Sequence, residues 1–257
     1  MAYTRSLPYQ PGQTAPYKLS RSKLELFTQC QRCFWLDARH KIGRPSSPPF
    51  QINKAIDELF KKEFDSYRLK KQPHPLMTAY KIDAVPFAHK DLNTWRENFV
   101  GVQALHKPTN LLIFGAVDDI WVNPKDELIV VDYKATSKKG EVNLDAGWQD
   151  SYKRQMEIYQ WLLRQNDFTV SNTGYFVYAN GKTDADGFYD KVEFKTIIIG
   201  HTGTSDWVDK TVTDAKTCLE GDIPPVGVSI MGGECEHCAY ARSRTQLTLE
   251  YLKKAKK

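Results

Sequence analysis

No apolar run in the sequence approaches the length that spans a bilayer, and Met1 to Pro16 holds no apolar core long enough for a signal peptide. Neither membrane insertion nor secretion is expected, and a cytoplasmic, reducing setting follows. Cysteine is scarce, with five in 257 residues. Four of them nevertheless form two C-x-x-C pairs, Cys30/Cys33 and Cys235/Cys238, and in a reducing compartment such pairs suggest a metal or cluster before a disulfide. Charge of one sign is not abundant either: 36 Lys and Arg against 31 Asp and Glu leave a formal +5. That excess permits nucleic-acid binding without demanding it. The acidic pair Asp184/Asp186 lacks the closing glutamate of an EF-hand and reads as a plain turn. The length suits one large domain with a substantial core.

Chemistry concentrates between Gly115 and Lys134. Two apolar, β-branched-rich runs, Leu111 to Val122 and Leu128 to Ala135, flank the polar connector 123–127, a pattern that predicts a β-hairpin with a five-residue loop. If the loop closes evenly, residues whose numbers sum to 250 face each other. Asp118 then lies opposite Asp132, with Lys134 two positions on and on the same face. Carboxylates on a half-buried sheet are costly unless a cation or hydrogen bonds offset their desolvation. A hard cation such as Mg²⁺ or Mn²⁺ does so. The hairpin therefore reads as a metal site with a lysine beside it.

Around it, Ser22-x-x-Glu25 resembles a capping box that opens a helix to about Asp37, with Cys30 and Cys33 on one face. Residues 1–18 read as a loose arm. Ile52 to Tyr67 has helical spacing, and its apolar stripe carries Asn53 and Asp57. Trp148 to Gln165 predicts another helix, on which Gln155 and Tyr159 are surface neighbours. Asn172–Ala179 and Phe188–Ile199 read as further strands, and Ser205–Leu219 as a helix with Cys218 as a buried thiol. The loop 135–140 is polar and basic. The final helix ends in Lys253-Lys254-Ala255-Lys256-Lys257, most simply a solvated tail.

Gly115-Ala116-Val117-Asp118 followed by Asp132-Tyr133-Lys134, with Gln155-x-x-x-Tyr159 after them, resembles the PD-(D/E)XK nuclease superfamily, and within it the RecB-like exonucleases. The resemblance implies an α/β fold with a central mixed β-sheet flanked by helices, and metal-dependent hydrolysis of DNA phosphodiesters. It implies that Asp118, Asp132 and Lys134 are catalytic, and that Gln155 and Tyr159 lie beside the substrate backbone. The family's Gly-x-x-x-His helix motif is replaced here by Asn53-Lys54-Ala55-Ile56-Asp57. Asp57 becomes the third carboxylate ligand of the metal, with Asp118, Asp132 and the Tyr133 carbonyl. The same departure leaves open a catalytically inactive nucleic-acid-binding protein. A glycosidase using Asp118 and Asp132 is disfavoured by Lys134 and by the lack of a sugar-stacking platform.

Taken alone, the cysteine pairs most often bind zinc. The iron–sulfur CRISPR-associated nucleases place one cysteine in an N-terminal helix and three after the catalytic core. Cys30, Cys235 and Cys238 match that arrangement, whereas Arg242 and Arg244 stand where a last cysteine is expected and Cys33 is extra. The resemblance thus favours a 4Fe–4S cluster, with structural Zn²⁺ the alternative. Residues 1–257 are expected to form a single nuclease-like domain, in which 20–40 and 228–257 make a four-cysteine lobe. DNA is the expected partner. Cleavage polarity, strand preference, protein partners and biological pathway are not legible.

Overall fold

The structure, a computed structural model, describes residues 7–45, 50–228 and 232–255. The chain divides into two units: Met1–Ser47, Leu105–Leu112 and Asp209–Lys257 in the first, Pro48–Ala104 and Ile113–Val208 in the second.

The first unit opens with β1 (Tyr17–Ser20), α1 (Arg21–Gln29) and α2 (Gln31–His40). Ser20, not Ser22, caps α1, accepting from Lys23 N at 3.3 Å. The single predicted helix is two helices because Cys30 is extended (φ −160°) and its Sγ accepts from Cys33 N at 3.5 Å. A side chain that satisfies an otherwise orphaned amide starts a new helix there. The arm is also tighter than expected from residue 7 on: Tyr9 is buried and its N donates to the Ala38 carbonyl at 2.9 Å. Residues 1–6 lie outside the described residues.

The second unit begins with α3 (Gln51–Lys70), α4 (Pro75–Ala79), β2 (Val85–Pro86) and α5 (Leu92–Trp95). The strands β3 (Val102–His106) and β4 (Leu111–Gly115) follow, with the hairpin tip 105–112 in the first unit. Then come β5 (Asp119–Val122), β6 (Leu128–Thr136), α6 (Asp150–Arg164), β7 (Thr173–Gly181) and β8 (Phe194–Thr202). A five-stranded mixed sheet runs β2–β5–β6–β7–β8, antiparallel except where β6 and β7, joined through α6, lie parallel. This is the expected mixed α/β architecture. β8 starts later than predicted: Phe188 and Tyr189 are exposed in a loop with positive φ at Tyr189 and Asp190.

The sheet's alternation decides the two faces. Ile129, Val131, Tyr133 and Val177 point to one side, where Phe60 and Phe64 of α3 close a core with Trp121. Asp132 and Lys134 therefore point to the opposite side, toward α6. Back in the first unit are α7 (Trp207–Glu220), which runs on from the second unit, and α8 (Glu236–Ala255). α8 buries none of its side chains. Lys256 and Lys257 lie outside the described residues. Among the described residues, no helix is long and apolar enough to cross a membrane.

Candidate active site

The expected strand Leu111–Val122 is broken at 116–118, which places β4 and β5 in different sheets. The cause lies at Gly101, whose φ is +62° and where a Cβ would come within 2.3 Å of the Gly115 carbonyl oxygen. Only glycine allows that approach, and Val117 N is then taken by the Trp95 carbonyl at 3.1 Å. Asp118 is thereby placed one residue ahead of β5, at an end of the sheet.

From there the expected register holds, with Asp119 opposite Val131 and Val122 opposite Leu128. Asp118 Oδ2 accepts from Tyr133 N at 2.9 Å. Lys134 pairs its ammonium with Asp132 Oδ2, and Asp132 Oδ1 accepts from Gln155 Nε2 at 2.8 Å. Gln155 Nε2 also lies 3.2 Å from the Tyr159 hydroxyl, and Tyr159 is buried behind it. Burial alone would lower the Lys134 pKa, but Asp132 and Asp118 outweigh it and hold the ammonium above its usual range. A small cavity of about 120 Å³ opens beside these groups, lined in part by Asn53, Asp57, Lys134 and Tyr152.

Asp57 reaches the same place from α3. Its Oδ2 accepts from Lys61 Nζ at 2.7 Å, and that ammonium also stands 3.6 Å from Asp118 Oδ1. Burial, then the neighbouring Asp118, push the Asp57 carboxyl upward, which Lys61 only partly offsets. Asp57 Oδ1 is buried with no hydrogen-bond partner. An unpartnered carboxylate oxygen next to a second carboxylate, with an ammonium between them, is a donor set that suits a hard cation. Asp57, Asp118 and Asp132 are nonetheless more dispersed than a closed cage: among the described residues, only the four cysteines bring three or more such ligand atoms within 4.8 Å of one another.

A charged layer behind the site escaped the sequence reading. Asp119 is fully buried, and Arg68, Arg96 (2.8 Å) and the Tyr133 hydroxyl (2.8 Å) all donate to its carboxylate. Arg96 Nε also donates to the Asp118 carbonyl at 3.0 Å, and its Nη1 is held by Asp65 at 2.9 Å. This network fixes the backbone that presents Asp118. Its one signal in the sequence is spacing: Asp57, Lys61, Phe64 and Arg68 recur along one face of a helix.

In the first unit, Cys30, Cys33, Cys235 and Cys238 converge from both ends of the chain, with neighbouring Sγ atoms 3.6–3.8 Å apart. Burial pushes the Cys30 thiol up, but the Cys33 and Gly227 amides more than offset it, bringing it down to about 7. Arg44 Nη2 lies 3.5 Å from Cys235 Sγ. A Cβ on Gly227 would fall 2.8 Å from Cys30 Sγ, so that residue must stay small. Cys218 is separate from the group and half-buried, its thiol pushed up to about 11 by burial.

One carboxylate from a helix, one from the residue just ahead of β5 and one from β6, with a lysine two residues past the last, thus lie about one end of the sheet. The chain belongs to the PD-(D/E)XK nuclease superfamily, whose family model matches residues 45–243. Membership implies nuclease chemistry that uses divalent metals on a nucleic-acid substrate. A solved structure titled "Crystal structure of SSO0001" is similar at 16% identity, with a TM-score of 0.33, over 78% of this chain and 75% of that one. No curated protein matches the sequence.

Proposed function

We propose that the chain is a Mg²⁺- or Mn²⁺-dependent deoxyribonuclease, with Asp57, Asp118, Asp132 and the Tyr133 carbonyl as metal ligands. The observation that carries this reading is the Lys61 ammonium lodged between Asp57 and Asp118, a cation standing where carboxylates need one. The Tyr133 amide donates across the end of β5 to Asp118, and in an extended strand a residue's carbonyl faces the same way as its amide. When bound, the metal supplies charge neutralisation at the phosphoryl oxygens and a more acidic water.

The chain's own groups do the rest. Lys134, held cationic by Asp132, offers positive charge to the phosphate where negative charge develops. Gln155 fixes the rotamer of Asp132, and Tyr159 backs Gln155. Resemblance to RecB-like enzymes supports action from a strand end. The test is Lys134→Ala, which should keep its fold and DNA binding while losing Mn²⁺-dependent cleavage. Undiminished cleavage in that variant removes this mechanism.

The replacement of the family histidine by Asp57 favours a second reading, a nucleic-acid-binding protein without catalysis. Calorimetric titration with Mn²⁺ separates the two, because an inactive site shows no binding that depends on Asp118 and Asp132.

The four-cysteine site, which joins residues near both ends of the chain, is a staple that closes a very long chain loop. Zinc–sulfur bonds of about 2.3 Å in a tetrahedron set sulfurs about 3.8 Å apart, which agrees with the observed 3.6–3.8 Å. The irons and sulfides of a 4Fe–4S cluster occupy the space between their thiolates and hold them wider. The spacing supports Zn²⁺ over the cluster that resemblance favours.

A further inference from the structure

Just outside the catalytic groups, the 3-10 turn Gly147–Gln149 and the first turn of α6 carry two aromatic rings, Trp148 and Tyr152, that the chemistry above does not use. The Lys134 ammonium lies 4.7 Å from the centre of the Tyr152 ring. Tyr152 lines the same cavity as Asp57 and Lys134. Trp148 meets Tyr152 edge-on, with ring centres 5.4 Å apart and planes at 84°. Although indole is among the costliest groups to leave in water, Trp148 is 52% exposed.

Its backbone is held firmly for an exposed position. The Trp148 carbonyl accepts from Ser151 Oγ at 2.8 Å. The adjacent Gln149 is buried, accepting from Ala146 N at 3.0 Å and donating to the Asn143 carbonyl at 2.8 Å. A ring on a fixed backbone, exposed beside an active-site cation, loses little freedom when a flat ligand settles on it. Lys138 and Lys139, exposed just past the end of β6, supply positive charge at the same end of the strand as Lys134.

We propose that Trp148 and Tyr152 form a stacking ledge for an unpaired base of the strand whose phosphate lies at Lys134, which makes single-stranded nucleic acid the substrate class. The inference rests on the nuclease reading. Aromatic faces accept any base but need it unstacked from its partner strand; a base inside a duplex offers no free face.

The test uses the full chain without added Mg²⁺ or Mn²⁺, so that nothing is cut and the cysteine site keeps its ion, and follows the anisotropy of a fluorescein-labelled oligothymidylate. Trp148→Ala should weaken binding by about tenfold or more. Trp148→Phe should retain most of it, and a blunt duplex should be indifferent to either change. Equal affinity of Trp148→Ala and the unaltered protein for the single strand overturns the ledge, as does an equal loss on the duplex. In either case Mn²⁺-dependent cleavage that needs Lys134 leaves the nuclease reading standing. A chain that neither binds nor cuts any nucleic acid removes both.

Discussion

Lys61 and Asp57, four residues apart on α3, form an ion pair 2.7 Å long at the mouth of the candidate site. The ammonium competes with any metal for the same oxygens. Lys61→Met should therefore tighten Mn²⁺ binding. Both side chains retain some exposure, so solvent screening limits the effect to about 1–2 kcal/mol, roughly five- to thirtyfold in Kd. Calorimetry on the two proteins measures it, and an unchanged or weaker isotherm removes Lys61 as the stand-in cation.

The buried carboxylate of Asp119 is where stability is most exposed to mutation. Arg68 and Arg96, themselves almost wholly buried, converge on it. Asp119→Ala removes the buried anion of two guanidinium groups and leaves them only the half-exposed Asp65, at a cost of about 3–5 kcal/mol. Denaturant unfolding should show that loss, whereas Asp65→Ala, which removes a half-exposed partner of the same arginines, should cost much less. Similar losses for the two variants would mean that the network is not centred on Asp119.

Much of this site was legible because it follows from counting. A five-residue connector and period-two alternation suffice to bring Asp118 toward Asp132 and to set Lys134 beside it. The break after Gly115 was not legible, since it depends on a glycine fourteen positions earlier whose backbone lies against it. Cys30 looked like a mid-helix residue, because capping by a thiol has no sequence signature. That Lys61, Arg68 and Arg96 turn inward to carboxylates shows only in the fold. The spacing opens a helix at Trp148, whereas the structure puts Trp148 in a separate turn ahead of α6, exposed beside the buried Gln149.

Acid should weaken the first unit through Glu220. Hydrogen bonds from Lys216 and Tyr9 lower its carboxyl from an ordinary 4.5 to about 2, and Gly12 N adds a bond at 3.0 Å. A carboxylate whose folded pKa is depressed stabilises the fold above the unfolded pKa, and that contribution is lost as pH falls toward the folded value. Thermal unfolding of Glu220→Gln should thus fall below the unaltered protein at pH 6, with the gap shrinking between about pH 4.5 and 2. A gap that stays constant across that window would show that the effect is not ionic.

The cysteine site gives the plainest reading. Four sulfurs within 4.8 Å of one another, three of their pairs 3.6–3.8 Å apart, and Arg44 beside Cys235 all favour binding a single soft dication. Protein purified under reducing conditions should be colourless and carry one zinc per chain. Chelation should then lower its unfolding temperature, because binding free energy at such a site is folding free energy. Gly227→Ala should weaken zinc retention, since the added methyl meets Cys30 Sγ at 2.8 Å, while leaving Mn²⁺ binding by the carboxylates unchanged. A brown preparation with iron and acid-labile sulfide would instead place a cluster there and require the four thiolates to spread apart from their present positions.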